Sequence, residues 1–449
     1  MEEQLARREI SDPEALPQAK KLYERLCEGE GKYVMFGQQD GYVTGAAFEA
    51  NHMEQIGQCD TMAAAGGYPS VAGFDLGHLE VYFTAERDPE FAELIRGKDR
   101  TGGDFEPGMN IDNVNWDFMR EAIRFAHNRG AVITISWHSV NPLTGAEYGD
   151  GNRTWTESVI RDVLPGGKLH ARFNNFLDAV AAYNATLTDE NGELIPYIFR
   201  PFHEHTGDWF WWGIDRSGNP NDGTAWSGDG GRLNEPEDFA ALYRYAVTYL
   251  RGKGVHNVLW SISPDRSRLG YDGTDSGFNE RMAADWLQGY PGDAYVDLFG
   301  LDNYWDVGNW YNRDASGTPV AGSIQYERFA GALETVAVLA ERHGKLAALT
   351  EMGLADARVL EEAGRDRAAA YTDWFLRAVR TNEHTRRILY GLVWRSEYRG
   401  AGADPFAVYG EPEQGSGQEG AAAGDNRKVL FSRAEDFRRF ASDSFVKMV

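Results

Sequence analysis

Two glutamates stand apart from the other acidic residues of the chain, Glu204 and Glu351. Each follows an apolar run, Tyr197-Ile198-Phe199 before the first and Leu346-Ala347-Ala348-Leu349 before the second. Glu204 lies between His203 and His205 and is followed by Trp209-Phe210-Trp211-Trp212. Two carboxyl groups flanking a glycosidic bond can cleave it. In the retaining form they stand about 5–5.5 Å apart; one attacks the anomeric carbon while the other protonates the leaving oxygen and then activates water. A pyranose ring offers an apolar C–H face that packs on indole, and its hydroxyls need polar neighbours. The candidate platforms are Trp155, Trp209, Trp211, Trp212, Trp305, Trp310 and Trp394. Among these, the surroundings of Trp155, Trp209 and Trp394 favour sugar contact. Trp211 reads better as core, as do Trp116, Trp260, Trp286 and Trp374.

Each of these residues also has a plainer reading. Alone, Glu351 reads as a loop carboxylate in an ion pair, since structural pairs also place acids at such ends. Its value comes from a partner on an opposite strand. Successive residues of a strand point to opposite faces, so His203 and Glu204 share a site only if the chain bends between them. The His-Glu-His spacing is no zinc motif, and neither a Cys pattern nor HExxH supports one. No metal is expected.

Something must bring two residues 351 − 204 = 147 positions apart together. Eight apolar or β-branched runs recur along the chain: 33–38, 71–76, 131–138, 195–204, 257–265, 296–305, 346–353 and 388–396. Helix-period segments are expected between them, near 52–65, 117–129, 168–187, 236–251, 326–343 and 365–380, with a last one at 434–444. Asn234 is expected to cap the helix that opens with Pro236. Near-continuous apolar strands are buried on both faces, as in a parallel sheet. Eight of them, with no Gly-rich phosphate loop after the first, point to an α/β fold: a single (β/α)8 TIM barrel with long βα loops. Residues 1–30 read as an N-terminal lead-in segment across the barrel floor and 31–449 as the barrel. The Gly-rich stretches 213–234 and 400–424 read as loops within it.

In such a barrel the site lies at the C-terminal strand ends. Those ends carry Asp75, Trp137-His138, His203-Glu204, Asp265, Asp302 with Tyr304 and Trp305, Glu351, and Trp394-Arg395. A ring of carboxylates, imidazoles and aromatics at nearly every strand end is difficult to ascribe to chance.

The net charge, 45 − 69 = −24, repels phosphate backbones and anionic lipid, so neither nucleic acid nor a membrane surface is an expected partner. A neutral ligand suits it, and a monomer is expected. Cys27 and Cys59 make no disulfide framework and read as two thiols. No run approaches the ~20 apolar residues of a membrane span. The first 30 residues lack an apolar signal core. The sequence as written therefore reads as cytoplasmic, or as secreted or periplasmic if a leader has been removed.

The chain resembles glycoside hydrolase family 26, the β-mannanase family among the retaining (β/α)8 hydrolases. The resemblance rests on Arg200-Pro201-Phe202-His203-Glu204 followed by Gly207-x-Trp209-Phe210-Trp211-Trp212-Gly213. It rests also on Ser136-Trp137-His138, Ser263-Pro264-Asp265, Asp302-x-Tyr304, Thr350-Glu351-x-Gly353 and Trp394-Arg395, over roughly residues 30–440. It implies Glu204 as acid/base and Glu351 as nucleophile, with no cofactor. It implies that His203 and Trp209 line the cleavage subsite, that Tyr304 hydrogen-bonds the nucleophile and that Asp302 supports it. Trp394 would floor the subsite, Arg395 would grip the next sugar on the non-reducing side, and His138 and Trp155 would also meet substrate. The implied substrates are β-1,4-mannan, glucomannan or manno-oligosaccharides. A β-1,3-xylan or a mixed-linkage β-glucan is the alternative within the family, and a non-catalytic carbohydrate-binding barrel the alternative outside it. Internal or end-on cleavage turns on loops 139–167 and 213–234.

Overall fold

The structure, a computed structural model, describes residues 8–45, 48–50, 52–95, 116–146, 158–214, 234–309, 312–366, 368–395 and 426–449. Trp155 and Trp310, both expected platforms, lie outside the described residues, as do parts of loops 139–167 and 213–234.

Eight parallel strands form one closed sheet. They are β1 (Val34–Gln39), β2 (Val71–Asp75), β3 (Val132–Trp137), β4 (Tyr197–Pro201), β5 (Val258–Ile262), β6 (Leu298–Asn303), β7 (Leu346–Met352) and β8 (Ile388–Val393). Each pairs with its sequence neighbour, and β8 returns to β1 in the register Met35↔Tyr390 to Gln38↔Val393. Closure removes both sheet edges. It also explains the unbroken apolar runs: one face of each strand fills the barrel and the other packs under helices.

A ninth strand, β9 (Val446–Lys447), pairs with the first residues of β1, Val34 and Met35. Pairing of β1 with β2 begins only at Gly37, so β9 takes up hydrogen-bonding positions that β1 would otherwise leave open.

Helix α1 (Pro17–Gly29) opens with Pro, whose missing N–H costs nothing in the first turn. Its buried residues Ala19, Leu22, Tyr23 and Leu26 recur at helical spacing along one stripe. Leu22, Tyr23 and Leu26 pack with Met35, Val71, Val132, Ile198, Leu259, Leu298, Leu346 and Leu389, which fill the N-terminal end of the barrel. Ahead of α1, Ser11 donates its N–H (2.5 Å) and its hydroxyl (2.9 Å) to buried Asp297. A larger apolar layer lies between the strands and the outer helices, among them α2 (Trp116–Asn128), α3 (His170–Asn184), α4 (Pro236–Gly252), α5 (Gly322–Arg342) and α6 (Asn426–Ala441).

Several expected elements take a different form. The helix expected over 52–65 is a single turn at Met53–Gln55 and a short helix at Asp60–Ala65. Between them Gly57 holds φ +90, which a continuing helix cannot accommodate. The helix expected over 365–380 is wound as a π-helix from Ala370 to Leu376, with only Arg377–Val379 regular. Buried Asp436 of α6 accepts the N–H groups of Tyr371 (2.8 Å) and Thr372 (3.3 Å) at its start. The helix expected at 434–444 begins at Asn426. Asn234 does not cap α4: Glu235 does, in a capping box with Asp238. The Asn234 amide instead donates to the carbonyls of Trp211 (3.1 Å) and Gly213 (2.9 Å). Both cysteines are free thiols. Among the described residues, no helix is long and apolar enough to cross a membrane.

Candidate active site

At the C-terminal mouth of the barrel, β4 ends at Pro201 and the chain then turns sharply. Phe202 and Glu204 both hold φ +54, a left-handed conformation that costs a non-glycine residue energy and persists only where the surroundings enforce it. The enforcing contacts are visible. The Glu204 N–H donates to the Ser263 carbonyl at 2.7 Å, and the Trp212 indole donates to the His203 carbonyl at 2.8 Å. Downstream, Ile214 N–H donates to the His205 carbonyl at 2.7 Å. This turn is the bend that lets adjacent His203 and Glu204 both serve the mouth. Gly207 is dictated by close approach: a Cβ there would stand 2.4 Å from the Trp209 ring.

Opposite, Asp302 of β6 pairs with Glu351 of β7 across a register shift next to Leu301. Such a bulge re-aims side chains, and here it accompanies the close approach of two acids. Asp302 is wholly buried. It accepts from Arg200 (2.7 Å), Ser263 Oγ (3.1 Å) and Thr350 Oγ1 (2.7 Å). Glu351 is also buried; it accepts from the other arm of the Arg200 guanidinium and from Tyr304 Oη at 2.9 Å. Arg200 thus bridges the two acids at the position a shared cation would take. One oxygen each of Glu204, Asp302 and Glu351 lie within 4.8 Å of one another.

The carboxyl groups stand in unlike surroundings. Glu204, half-buried, has one resolved side-chain donor, Trp209 Nε1 at 2.6 Å. Burial, followed by the charges of Asp265, Glu351 and Asp302, lifts its pKa well above the usual range. Burial pushes Asp302 up to about 8 against the pull of Arg200, with the charge of Glu351 adding to the rise. Burial likewise pushes Asp265 up to about 6. Glu351, unlike Glu204, touches a guanidinium, that of Arg200. Beneath Trp209, the Arg268 guanidinium stands 5.2 Å from the indole centroid and donates to Asp208 at 2.8 Å.

His138, at the exit of β3, lies beside this group. Its Nε2 meets His203 Nε2 at 3.0 Å and its Nδ1 meets Asp75 Oδ2 at 2.7 Å. Its ring meets Trp394 edge to face at 5.8 Å and Phe210 at 5.5 Å. Arg395 is 54% exposed, with Asp40 Oδ2 at 3.8 Å.

The structure therefore gathers Glu204, Glu351, Asp302, Tyr304 and Trp209 into one cluster, with His138, His203 and Trp394 against it and Arg395 at the rim. Trp212 is corrected: it is fully buried, stacks on Phe210 at 4.4 Å and supports the turn from below. Trp211, Trp116, Trp260, Trp286 and Trp374 are buried, as a core reading requires. Arg200, Ser263, Thr350 and Asp75 are connected to the site without having been singled out as members. Two of them carry a sequence signal: Asp75 as a strand end, and Arg200 as a guanidinium inside an otherwise apolar strand.

Residues 88–321 match the family model of glycosyl hydrolase family 26. The chain belongs to that family. The match spans β3 to β6 and includes Glu204, while Glu351 lies beyond it. A mannan endo-1,4-β-mannosidase of Bifidobacterium adolescentis is 30% identical over 429 residues, covering 94% of this chain and 36% of that protein. One from Bacillus subtilis is 28% identical over 181 residues, 39% of this chain and 41% of that protein. The matched stretches thus cover less than half the length of these curated relatives. Among solved structures, a family 26 β-mannanase of Bacteroides ovatus superposes with a TM-score of 0.66 at 26% identity, covering 97% of this chain and 95% of that one. The catalytic domain of an endo-β-1,4-mannanase from Bacillus sp. JAMB-750 gives 0.67 at 27% identity, covering 98% and 94%.

Proposed function

We propose that the chain is a retaining glycoside hydrolase that cleaves β-1,4-mannosidic bonds in mannan, glucomannan or manno-oligosaccharides. The observation that carries this reading is the approach of one oxygen each of Glu204 and Glu351 within 4.8 Å, in surroundings that raise the pKa of one and pair the other with a cation. An inverting pair stands roughly 6.5–9.5 Å apart to admit a water, so this spacing favours double displacement. The mannan preference comes from the relatives, a mannan endo-1,4-β-mannosidase and a family 26 β-mannanase.

In this reading Glu351, ionised and held by Arg200 and Tyr304, attacks the anomeric carbon. Glu204 gives its proton to the departing oxygen as that bond breaks. The resulting ester removes the negative charge of Glu351, one of the charges that hold Glu204 protonated. Glu204 can then accept a proton from the incoming water, which attacks the same carbon and frees Glu351. Trp209 holds Glu204, and Asp302 anchors Arg200. Trp394, with the His138 ring edge to face against it, forms the floor of the cleavage subsite. Arg395 meets the next sugar on the non-reducing side.

Product profiling on mannan, glucomannan, lichenan and β-1,3-xylan tests substrate class. The expected result is release of manno-oligosaccharides from the first two and nothing from β-1,3-xylan. In parallel, Glu351→Ala is expected to abolish turnover of mannohexaose with the fold intact; substantial remaining turnover would remove Glu351 from the nucleophile's place.

A further inference from the structure

We propose that Asp75 is a positioning residue, which acts through the hydrogen-bonded chain Asp75–His138–His203 to hold the turn that presents Glu204. The proposal rests on the hydrolase reading above and extends it to a residue outside the cluster.

Asp75 is itself rigidly placed. Its Oδ1 accepts the Gly77 N–H at 2.6 Å and its Oδ2 accepts the Ser136 hydroxyl at 2.5 Å. The carboxylate then meets His138 Nδ1 at 2.7 Å, and His138 Nε2 meets His203 Nε2 at 3.0 Å. Two ring nitrogens at that distance share one hydrogen, so the chain has a direction. Among the described residues, the charged and titratable groups facing His138 are Asp75 from β2, Arg200 from β4, His203 from the turn after it, Glu351 from β7 and Asp40 beyond β1. Burial opposes protonation of His138, but the charge and hydrogen bond of Asp75 outweigh it and raise its pKa. Burial and the nearby His138 and Arg200 charges push His203 well below the usual imidazole value. Both directions favour a proton on His138, beside the Asp75 carboxylate, with His203 Nε2 as acceptor.

The consequence is mechanical. His203, 1% exposed, is the residue between Phe202 and Glu204, the two left-handed positions. Its carbonyl is held by Trp212 and its ring by His138. A backbone in so disfavoured a conformation stays there only when over-determined, and the charge-assisted bond from His138 is one of those determinants. Without Asp75, His138 loses its proton, the shared hydrogen is no longer assured, and Glu204 loses its fixed aim at the leaving oxygen.

The test compares wild type with Asp75→Asn in the full chain. By ¹⁵N-histidine NMR, with His138→Gln giving the assignment, the titration midpoint of His138 is expected to fall by about one pH unit or more, the effect of losing an opposite charge at contact distance. On manno-oligosaccharides kcat is expected to fall about ten- to hundredfold, the worth of a hydrogen bond to a charged group, with KM little changed. Aryl mannosides with good leaving groups, which need little proton donation, should be much less affected. Asp75→Glu should recover the His138 midpoint. Ser136→Ala, which loosens Asp75 without removing its charge, should give a smaller loss of the same kind, and it carries the kinetic test if Asp75→Asn fails to fold. An unmoved His138 midpoint, or equal losses on both substrate classes, overturns the proposal. If wild type cleaves no mannoside while the His138 midpoint still shifts, the hydrolase reading fails and the hydrogen-bonded chain stands.

Discussion

The two glutamates differ less in themselves than in what touches them, and that difference fixes a pH dependence. In the proposed mechanism Glu204 is protonated for the first step, and burial together with neighbouring carboxylates raises its pKa. As pH rises through that value the proton donor is lost, so kcat/KM should fall along an alkaline limb set by Glu204 in the free enzyme. In Glu204→Ala, assayed with an aryl mannoside bearing a good leaving group, this limb should be absent from the glycosylation step, whereas deglycosylation should be slow for want of a base. A pH–rate series on wild type and variant checks this; an unchanged limb in the variant would assign the limb to another group. Tyr304→Phe removes the 2.9 Å bond to Glu351 while keeping the ring. It should lower kcat roughly tenfold or more, since a bond to a charged group contributes about 1.5–3 kcal/mol; kinetics at saturating substrate measure it. At this scale the sequence was informative where a residue's chemistry contrasted with its strand, as with Glu204, Glu351 and Tyr304. It was uninformative for Trp212, because a run of four aromatics offers no periodicity to show which ring turns inward. Asp75 was visible as a strand end, but its link to His138 exists only across β2 and β3 in register.

Between β4 and α4, residues 202–214 form a loop whose order comes from specific contacts rather than from regular structure. Gly207 lies under Trp209 with no room for a methyl group. Gly207→Ala must displace the indole or the backbone, and either movement strains the 2.6 Å bond to Glu204. The expected outcome is a modest loss of thermal stability with a larger loss of kcat on substrates with poor leaving groups; calorimetry beside kinetics on two leaving groups separates the two. A variant with wild-type kinetics would show that Trp209 has room to spare. Element boundaries show why such detail escaped the sequence. All eight strands were legible, because both faces are apolar and the runs are therefore nearly continuous. The left-handed residues Phe202 and Glu204 were not, since neither carries the glycine that normally marks such a position. The cap of α4 was misplaced by one residue because Asn234 and Glu235 both offer a side-chain acceptor. The bonds of Asn234 to Trp211 and Gly213, which decide between them, lie 23 and 21 positions away in sequence.

At the level of the whole molecule the barrel divides into a mouth that carries the polar cluster and a floor sealed by α1. The count of eight strands pointed to closure, and closure is what brings Glu204 and Glu351 together. The return of β9 to β1 was invisible, because two residues carry no strand pattern. A barrel so divided predicts that stability and chemistry can be separated. Leu26 is 2% exposed and packs among the strand residues that fill the N-terminal end. Leu26→Ala deletes most of a buried side chain and leaves a cavity, at a cost of about 2–5 kcal/mol depending on how far the floor collapses. The polar cluster occupies the opposite ends of the same strands, where the loss of apolar contacts at the floor changes none of its hydrogen-bond partners. Urea unfolding should therefore show a clearly lower midpoint for Leu26→Ala, while kcat and KM, measured where both proteins are folded, should match wild type. A fall in kcat as large as the fall in stability would mean that α1 does more than close the floor: the strands would be transmitting its packing to the register of β6 and β7, on which the approach of Asp302 and Glu351 depends.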